Sequence, residues 1–290
     1  MNTVEELASA KLNLSLDVLG RLPDGYHEMK TVMQSAGLVD HVSIRLLDRG
    51  EITVRSNFGF LPRDERNIAW KAAAAFFAAA NMPGAGAEIS LQKRIPVGAG
   101  LGGGSADAAA VLRGLNRLCG APLDWAQLET LGGTLGSDVP FCLRGGARLG
   151  LGRGERLESA PPMPDCGIVI CKPRFSIRTP DLFRRIDSRR SRIHPDTEGL
   201  LQAMEAGDLE GMARRMYNVF EDVLPRSHGE IGLIKGALLD AGALGAVMSG
   251  TGSAVFGVFP DLPAAQNACD ALQKSYRECW AVTPVREILE

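Results

Sequence analysis

Residues 10–19 alternate, with Leu12, Leu14, Leu16 and Val18 on one side and Lys11, Asn13, Ser15 and Asp17 on the other. A period of two sends successive side chains to opposite faces of a strand, so this segment predicts one buried and one polar face. Further strand patterns lie at 41–47, 51–55 and 87–93, and helical spacing covers 67–81, 105–118 and 124–135. Residues 145–159, rich in glycine and arginine, read as short strands joined by a turn. The run Ala-Pro-Pro-Met-Pro-Asp-Cys at 160–166 breaks the pattern and marks an expected boundary between domains spanning 1–160 and 161–290. Beyond it the chain predicts a compact buried strand at 167–172 and helices at 179–186, 197–206, 209–224 and 230–241. Strands at 244–249 and 254–259 then flank Gly250-Thr251-Gly252, followed by a helix over 263–274 and a last strand near 281–288. Strict strand–helix alternation is absent, so the expected class is α+β in two lobes.

Composition narrows the function classes. A length of 290 residues allows two domains or one large one, and 45% hydrophobic with 23% charged residues is ordinary for a globular protein. A net charge of −2 provides no basic field for nucleic acid. The local cluster Arg184, Arg185, Arg189, Arg190 and Arg192 reads as a solvated loop or a local anion contact. Six cysteines form no C-x-x-C pair and four histidines add no ligand spacing, which argues against zinc and for a reduced, cytoplasmic setting. The N-terminal stretch has no apolar signal core. The longest apolar run, 72–80, is less than half of what a bilayer span requires. No membrane partner is expected.

The segment richest in chemical information is 96–112, which carries Gly98, Gly100, Gly102, Gly103 and Gly104 directly ahead of an alanine-rich helical stretch. An ordinary turn needs one or two glycines. Five within seven positions let the backbone take positive φ and converge its N–H groups, and the following helix adds the positive end of its dipole; both favour a phosphate. The Walker A pattern fails, because Gly104 is followed by Ser105 and Ala106. Gly98, Gly100 and Gly103 satisfy the dinucleotide fingerprint, whose acidic partner would be Asp124; that residue reads as a helix cap instead. The remaining reading is the loop of a different kinase fold.

Two other segments carry reactive side chains. Lys11 and Asn13 share the polar face of the first strand, and Tyr26-His27 follow a Pro-Asp-Gly turn. Alone, Lys11 reads as part of a solvated sheet face. Asp138 stands between Gly136-Ser137 and Val139-Pro140; proline restricts Val139 to extended geometry, so the preceding helix must end nearby. Alone, Asp138 reads as a cap or turn residue.

Together these segments resemble the GHMP kinases, the small-metabolite kinases that include galactokinase, homoserine kinase and mevalonate kinase. Pro96, Gly100 and Leu101 match that family's P-x-x-x-G-L loop. AKLNL, PDGYH, RNIAWKA, PVGAGLGGGSADAA, LGSDVPF, KPRFSIRTPDLF and MSGTGSAVF follow in order along nearly the whole chain. They are similar to the branch that phosphorylates the 2-hydroxyl of cytidyl-methylerythritol. The resemblance implies a two-lobed GHMP kinase fold and a soluble enzyme, monomer or weak homodimer, with ATP and this small molecule as its partners.

By motif position the resemblance makes Asp138 the catalytic carboxylate and Lys11 its cationic partner. Asn13, Tyr26, His27, Thr179 and Phe183 fall at the acceptor, with Tyr26 and Phe183 as an aromatic clamp for the cytosine. Phe183 also reads as a helix core residue. Asn67, Lys93, Pro96, Gly98, Gly100, Leu101, Gly102, Gly103, Gly104 and Ser105 fall at ATP. Mg²⁺ is expected with ATP, but many relatives have serines where Gly103 and Gly104 stand, Ser105 is the loop's only hydroxyl, and the sequence names no acidic ligand. The competing readings are a kinase of another small alcohol, a dinucleotide-dependent oxidoreductase and a non-catalytic nucleotide-binding module.

Overall fold

The computed structural model describes residues 2–189 and 193–287. Arg190 and Arg192, named above, and the end of the strand expected near 281–288 lie outside them. The first half runs β1 (Thr3–Arg21), β2 (His27–Leu47), β3 (Ile52–Ser56), α1 (Ile68–Ala79), β4 (Gly86–Gln92) and α2 (Gly103–Leu118). It continues through α3 (Trp125–Leu135), α4 (Val139–Arg144), β5 (Ala147–Gly152) and β6 (Arg156–Ser159). After residues 160–166 come β7 (Gly167–Lys172), α5 (Thr179–Asp187), α6 (Thr197–Glu205), α7 (Leu209–Arg215) and β8 (Tyr217–Asn218). The order closes with α8 (Glu230–Asp240), β9 (Gly245–Met248), β10 (Val255–Phe259), α9 (Leu262–Leu272) and β11 (Glu278–Val282).

Among the described residues one sheet runs β3-β4-β2-β1-β8, with β5 also paired to β2 and β6 to β5; the other runs β11-β7-β10-β9 and is antiparallel throughout. Helix α2 lies so close to the first sheet that a Cβ on Gly114 would stand 2.4 Å from Ile44 Cδ1, so a larger residue there would force the Ile44 side chain to shift. One apolar cluster joins Leu12 and Leu14 of β1 to Ile168, Ile170, Phe256 and Val258 of the second sheet, so the two halves share a core. No helix among the described residues is long and apolar enough to cross a membrane.

The strand at 10–19 extends to Thr3–Arg21, and its polar face is not solvated: Lys11, Asn13, Ser15 and Asp17 are all buried. Burial of polar groups is costly unless they are paired. Asn13 Nδ2 donates to Thr31 Oγ1 at 2.8 Å, Ser15 shares a hydrogen bond with Thr197, and Asp17 accepts from His194 at 2.8 Å.

Three expectations are corrected. Val139 is not extended; it opens α4 with Pro140 in the first turn, where a missing N–H is harmless. The helix expected over 209–224 stops at Arg215, because Asn218 is drawn out to donate from Nδ2 to the Met248 and Gly250 carbonyls, each at 2.7 Å. The last strand begins at Glu278 and ends at Val282, set by pairing with β7. By contrast, Asp124 caps α3 as read: its carboxylate accepts from Gln127 N at 2.8 Å, and Gln127 Oε1 accepts from Asp124 N. That leaves the dinucleotide fingerprint without its acidic partner.

Candidate active site

The glycine loop joins β4 to α2. Gly98, Gly100 and Gly102 take φ of 66°, 78° and 67°, whereas Gly103 and Gly104 already belong to the helix. Close approach explains the glycines as much as conformation does. A Cβ on Gly100 would lie 2.1 Å from Ser249 O, and one on Gly102 would lie 2.7 Å from Lys11 Cγ. Three hydrogen bonds of 2.9 Å moor the loop: Lys11 N to Leu101 O, Ser249 Oγ to Gly100 O, and Ala254 N to Ala99 O. At the N-terminus of α2, Gly102 supplies no side-chain cap, so the first-turn amides and the positive helix end open into a cavity of about 400 Å³.

Asn67, Lys93, Pro96 and the loop from Gly98 to Ser105 line this first cavity. Asn67 caps α1, accepting from Ala69 N at 2.9 Å. Lys93 is not a free cation. Its ammonium is buried between Asp40 and Asp107, 2.6 Å from the latter, and sits 3.4 Å from Gly103 O. Asp40 Oδ1 in turn accepts from Ile95 N at 2.8 Å, so the triad braces both ends of the loop. Burial pushes the Asp107 carboxyl up to about 7, against the pull of Lys93 and with the repulsion of Asp40.

A second cavity, of about 700 Å³, adjoins the first: Gly98, Gly100, Gly102 and Ser105 line both. Lys11, Asn13, Tyr26, His27, Asp138, Thr179 and Phe183 all line it, although they come from widely separated segments. Lys11 Nζ lies 2.6 Å from Asn13 Oδ1 and 3.7 Å from Asp138 Oδ2. Asp138 occupies the N-cap position of α4 but its side chain makes no cap hydrogen bond, which leaves the carboxylate for Lys11.

The aromatic wall differs in detail from a simple Tyr26–Phe183 pair. His27 stacks on Phe183 with centroids 4.5 Å apart and planes at 25°, and its Nε2 meets Asp187 Oδ1 at 2.7 Å. Phe183 also packs edge-on against Phe220, so its core role and its cavity role coexist. Tyr26 is exposed on the β1–β2 turn, with the Arg153 guanidinium 3.8 Å above its ring. Thr179 Oγ1 shares a 2.8 Å hydrogen bond with Thr251, tying α5 to the Gly250–Gly252 turn. Arg21 and Arg153 line the cavity without having been picked out as site residues, whereas Thr251, also in the lining, belongs to the Gly250-Thr251-Gly252 turn already marked in the sequence. The only sequence signals were the position of Arg21 two residues before Pro-Asp-Gly and of Arg153 between two glycines. Among the described residues no group of three His, Cys, Asp or Glu could hold a metal ion.

An uncapped helix behind a glycine loop, beside a second cavity with a lysine–aspartate pair at the junction, is the site of a small-molecule phosphotransferase. Residues 67–146 match the model of the GHMP kinase N-terminal domain and residues 200–278 that of the GHMP kinase C-terminal domain; the chain belongs to the GHMP kinase family. It is 41% identical over 261 residues, 90% of each chain, to the 4-diphosphocytidyl-2-C-methyl-D-erythritol kinase of Lachnospira eligens. To the enzyme of the same name from Pelotomaculum thermopropionicum it is 44% identical over 263 residues, 91% of each. A crystal structure of 4-(cytidine 5'-diphospho)-2C-methyl-D-erythritol kinase superposes with a TM-score of 0.83 at 36% identity, covering 97% of this chain and 99% of that one. Homoserine kinase from Cytophaga hutchinsonii, at 22% identity and a TM-score of 0.76 over 99% and 96%, shares the fold.

Proposed function

We propose that this chain transfers the γ-phosphoryl group of ATP to the 2-hydroxyl of 4-diphosphocytidyl-2-C-methyl-D-erythritol, with Asp138 and Lys11 as the catalytic pair. The observation that carries this reading is the junction: two cavities meet at the glycine loop, and Lys11 and Asp138 stand there 3.7 Å apart. The triphosphate lies over the open N-terminus of α2, whose amides and dipole favour anionic oxygens. The acceptor enters the larger cavity with its cytosine toward Tyr26, His27 and Phe183 and its hydroxyl toward Asp138. Phosphoryl transfer has a loose transition state, so alignment and charge stabilisation dominate. Asp138 orients the hydroxyl and accepts its proton as the new P–O bond forms and ADP departs. The Lys11 ammonium balances charge on the transferring group. Its 2.6 Å bond to Asn13 fixes its position.

A magnesium ion accompanying ATP would be held largely by phosphate oxygens and water, with Ser105 the only loop hydroxyl available to it, and would offset the negative charge of the phosphates. The six free cysteines support a reduced, cytoplasmic setting. The test is ADP release measured with cytidyl-methylerythritol, mevalonate, homoserine and galactose. Turnover with the first acceptor alone is expected. Equal turnover with homoserine overturns the acceptor assignment, and no ADP release with any acceptor overturns the kinase assignment.

A further inference from the structure

Arg153 sits in the acceptor cavity and has no part in the chemistry of Lys11 and Asp138. Its position follows from strand register. β5 pairs with β2 through Met29↔Gly152, so the β5–β6 turn projects beyond Met29 toward the start of β2, where Tyr26 and His27 stand. Gly152 and Gly154 flank Arg153 with φ of 70° and 102°, and Gly154 N closes the turn on Leu151 O at 3.0 Å. The tip is therefore a tight, glycine-defined hairpin carrying Arg153 and Glu155, whose Oε2 accepts from Arg153 N at 2.6 Å.

The Arg153 side chain is committed on two sides. The guanidinium carbon lies 3.8 Å from the Tyr26 ring centroid, and Nη2 is ion-paired with Asp24. Asp24 in turn accepts from Tyr26 N at 3.0 Å, so Asp24, Tyr26 and Arg153 form a closed group across two hairpins. The Tyr26 N–H, and with it Arg153, holds the Asp24 carboxyl below its usual range. Even with this contact Tyr26 is 57% exposed on its turn, so the guanidinium over one face is the ring contact that restrains its rotamer. A stacking platform binds better when its ring is already fixed in the bound orientation.

We propose that Arg153 is a positioning residue for base recognition: by covering one face of Tyr26 it fixes the ring so that the opposite face meets the pyrimidine. This rests on the reading of the cavity as the cytidyl acceptor site. The stack that results runs guanidinium, phenol, base. It confers acceptor affinity and leaves the phosphoryl-transfer step untouched.

The test is a double-mutant cycle on acceptor KM and kcat, with CDP binding followed by calorimetry and folding by thermal melts. Arg153→Ala is expected to raise the acceptor KM about three- to tenfold, the range of a partly exposed cation–π contact, with kcat and the ATP KM within about twofold. Arg153→Lys recovers part of the loss, because a point charge still attracts the ring but cannot lie flat on it. In a Tyr26→Ala background, Arg153→Ala is expected to add less than about twofold, since its route of action has been removed. Full multiplication of the two effects overturns the proposal in favour of direct contact with the substrate diphosphate. A Tyr26→Ala effect with an unchanged Arg153→Ala KM overturns the proposal alone. An unchanged KM in Tyr26→Ala overturns the reading of the acceptor site and the proposal with it.

Discussion

Asp138 stands where a helix cap would stand and caps nothing, so its carboxylate is directed to Lys11 instead. Asp138→Asn keeps the shape and removes the charge. ATP affinity and melting temperature are expected to hold while turnover falls by about 10² to 10⁴; turnover within about twofold of wild type would falsify the catalytic role. Asp107 works differently, as part of the brace under the loop. Its carboxyl lies near 7 in the folded chain, raised first by burial, against an ordinary 3.8. Between those values the folded state keeps a proton that the unfolded chain has released, so this residue's contribution to stability declines as pH rises from about 4 to about 7. Asp107→Asn removes that dependence. The melting-temperature difference, wild type minus variant, is expected to shrink across that interval, and a difference constant with pH would show that Asp107 does not titrate there.

Among the elements, the glycine loop separates conformational need from spatial need. Gly100 has positive φ and a neighbour's carbonyl 2.1 Å from where a Cβ would be, whereas Gly104 has helical geometry and only Ile68 Cγ2 at 3.5 Å. Gly100→Ala is therefore expected to cost about 2–4 kcal/mol, read as a lower melting temperature. Gly104→Ala should melt at or above wild type and act through a raised KM for ATP, because Gly104 lines the cavity proposed for the phosphates. Equal destabilisation by both would undo this distinction. The same contrast explains what was legible in the sequence. Alternation revealed β1, and alanine spacing revealed α1 and α2, because both depend on neighbours in the chain. The buried state of Lys11, Asn13, Ser15 and Asp17 was hidden, since their partners Asp138, Thr31, Thr197 and His194 are remote. The break after Arg215 was hidden for the same reason: Asn218 answers to Met248 and Gly250, not to its own helix. The brace Asp40–Lys93–Asp107 likewise joins three elements that no local pattern connects.

At the scale of the whole molecule, the cavity proposed for the acceptor is lined where the two halves meet. Lys11, Tyr26, His27 and Asp138 come from the first half, Thr179, Phe183 and Thr251 from the second, and the shared core around Leu12, Leu14 and Phe256 holds them in one frame. The proposed reacting centre thus stands beside β1, while α5 contributes much of the wall proposed for recognition. Phe183→Ala tests that division. Its ring stacks on His27 and packs against Phe220, so its loss is expected to remove a face for the base and loosen His27. A remote stacking contact is nearly the same in the ground and transition states, so it changes KM far more than kcat. The acceptor KM is expected to rise about tenfold to a hundredfold, in line with about 1–3 kcal/mol per stacked base, with the ATP KM unchanged. Free methylerythritol, which lacks the base, should be a very poor substrate of the wild type. Steady-state kinetics with both acceptors decide the matter: if Phe183→Ala leaves KM unaltered and free methylerythritol is phosphorylated as well as the cytidyl compound, the second half does not select the acceptor through its base.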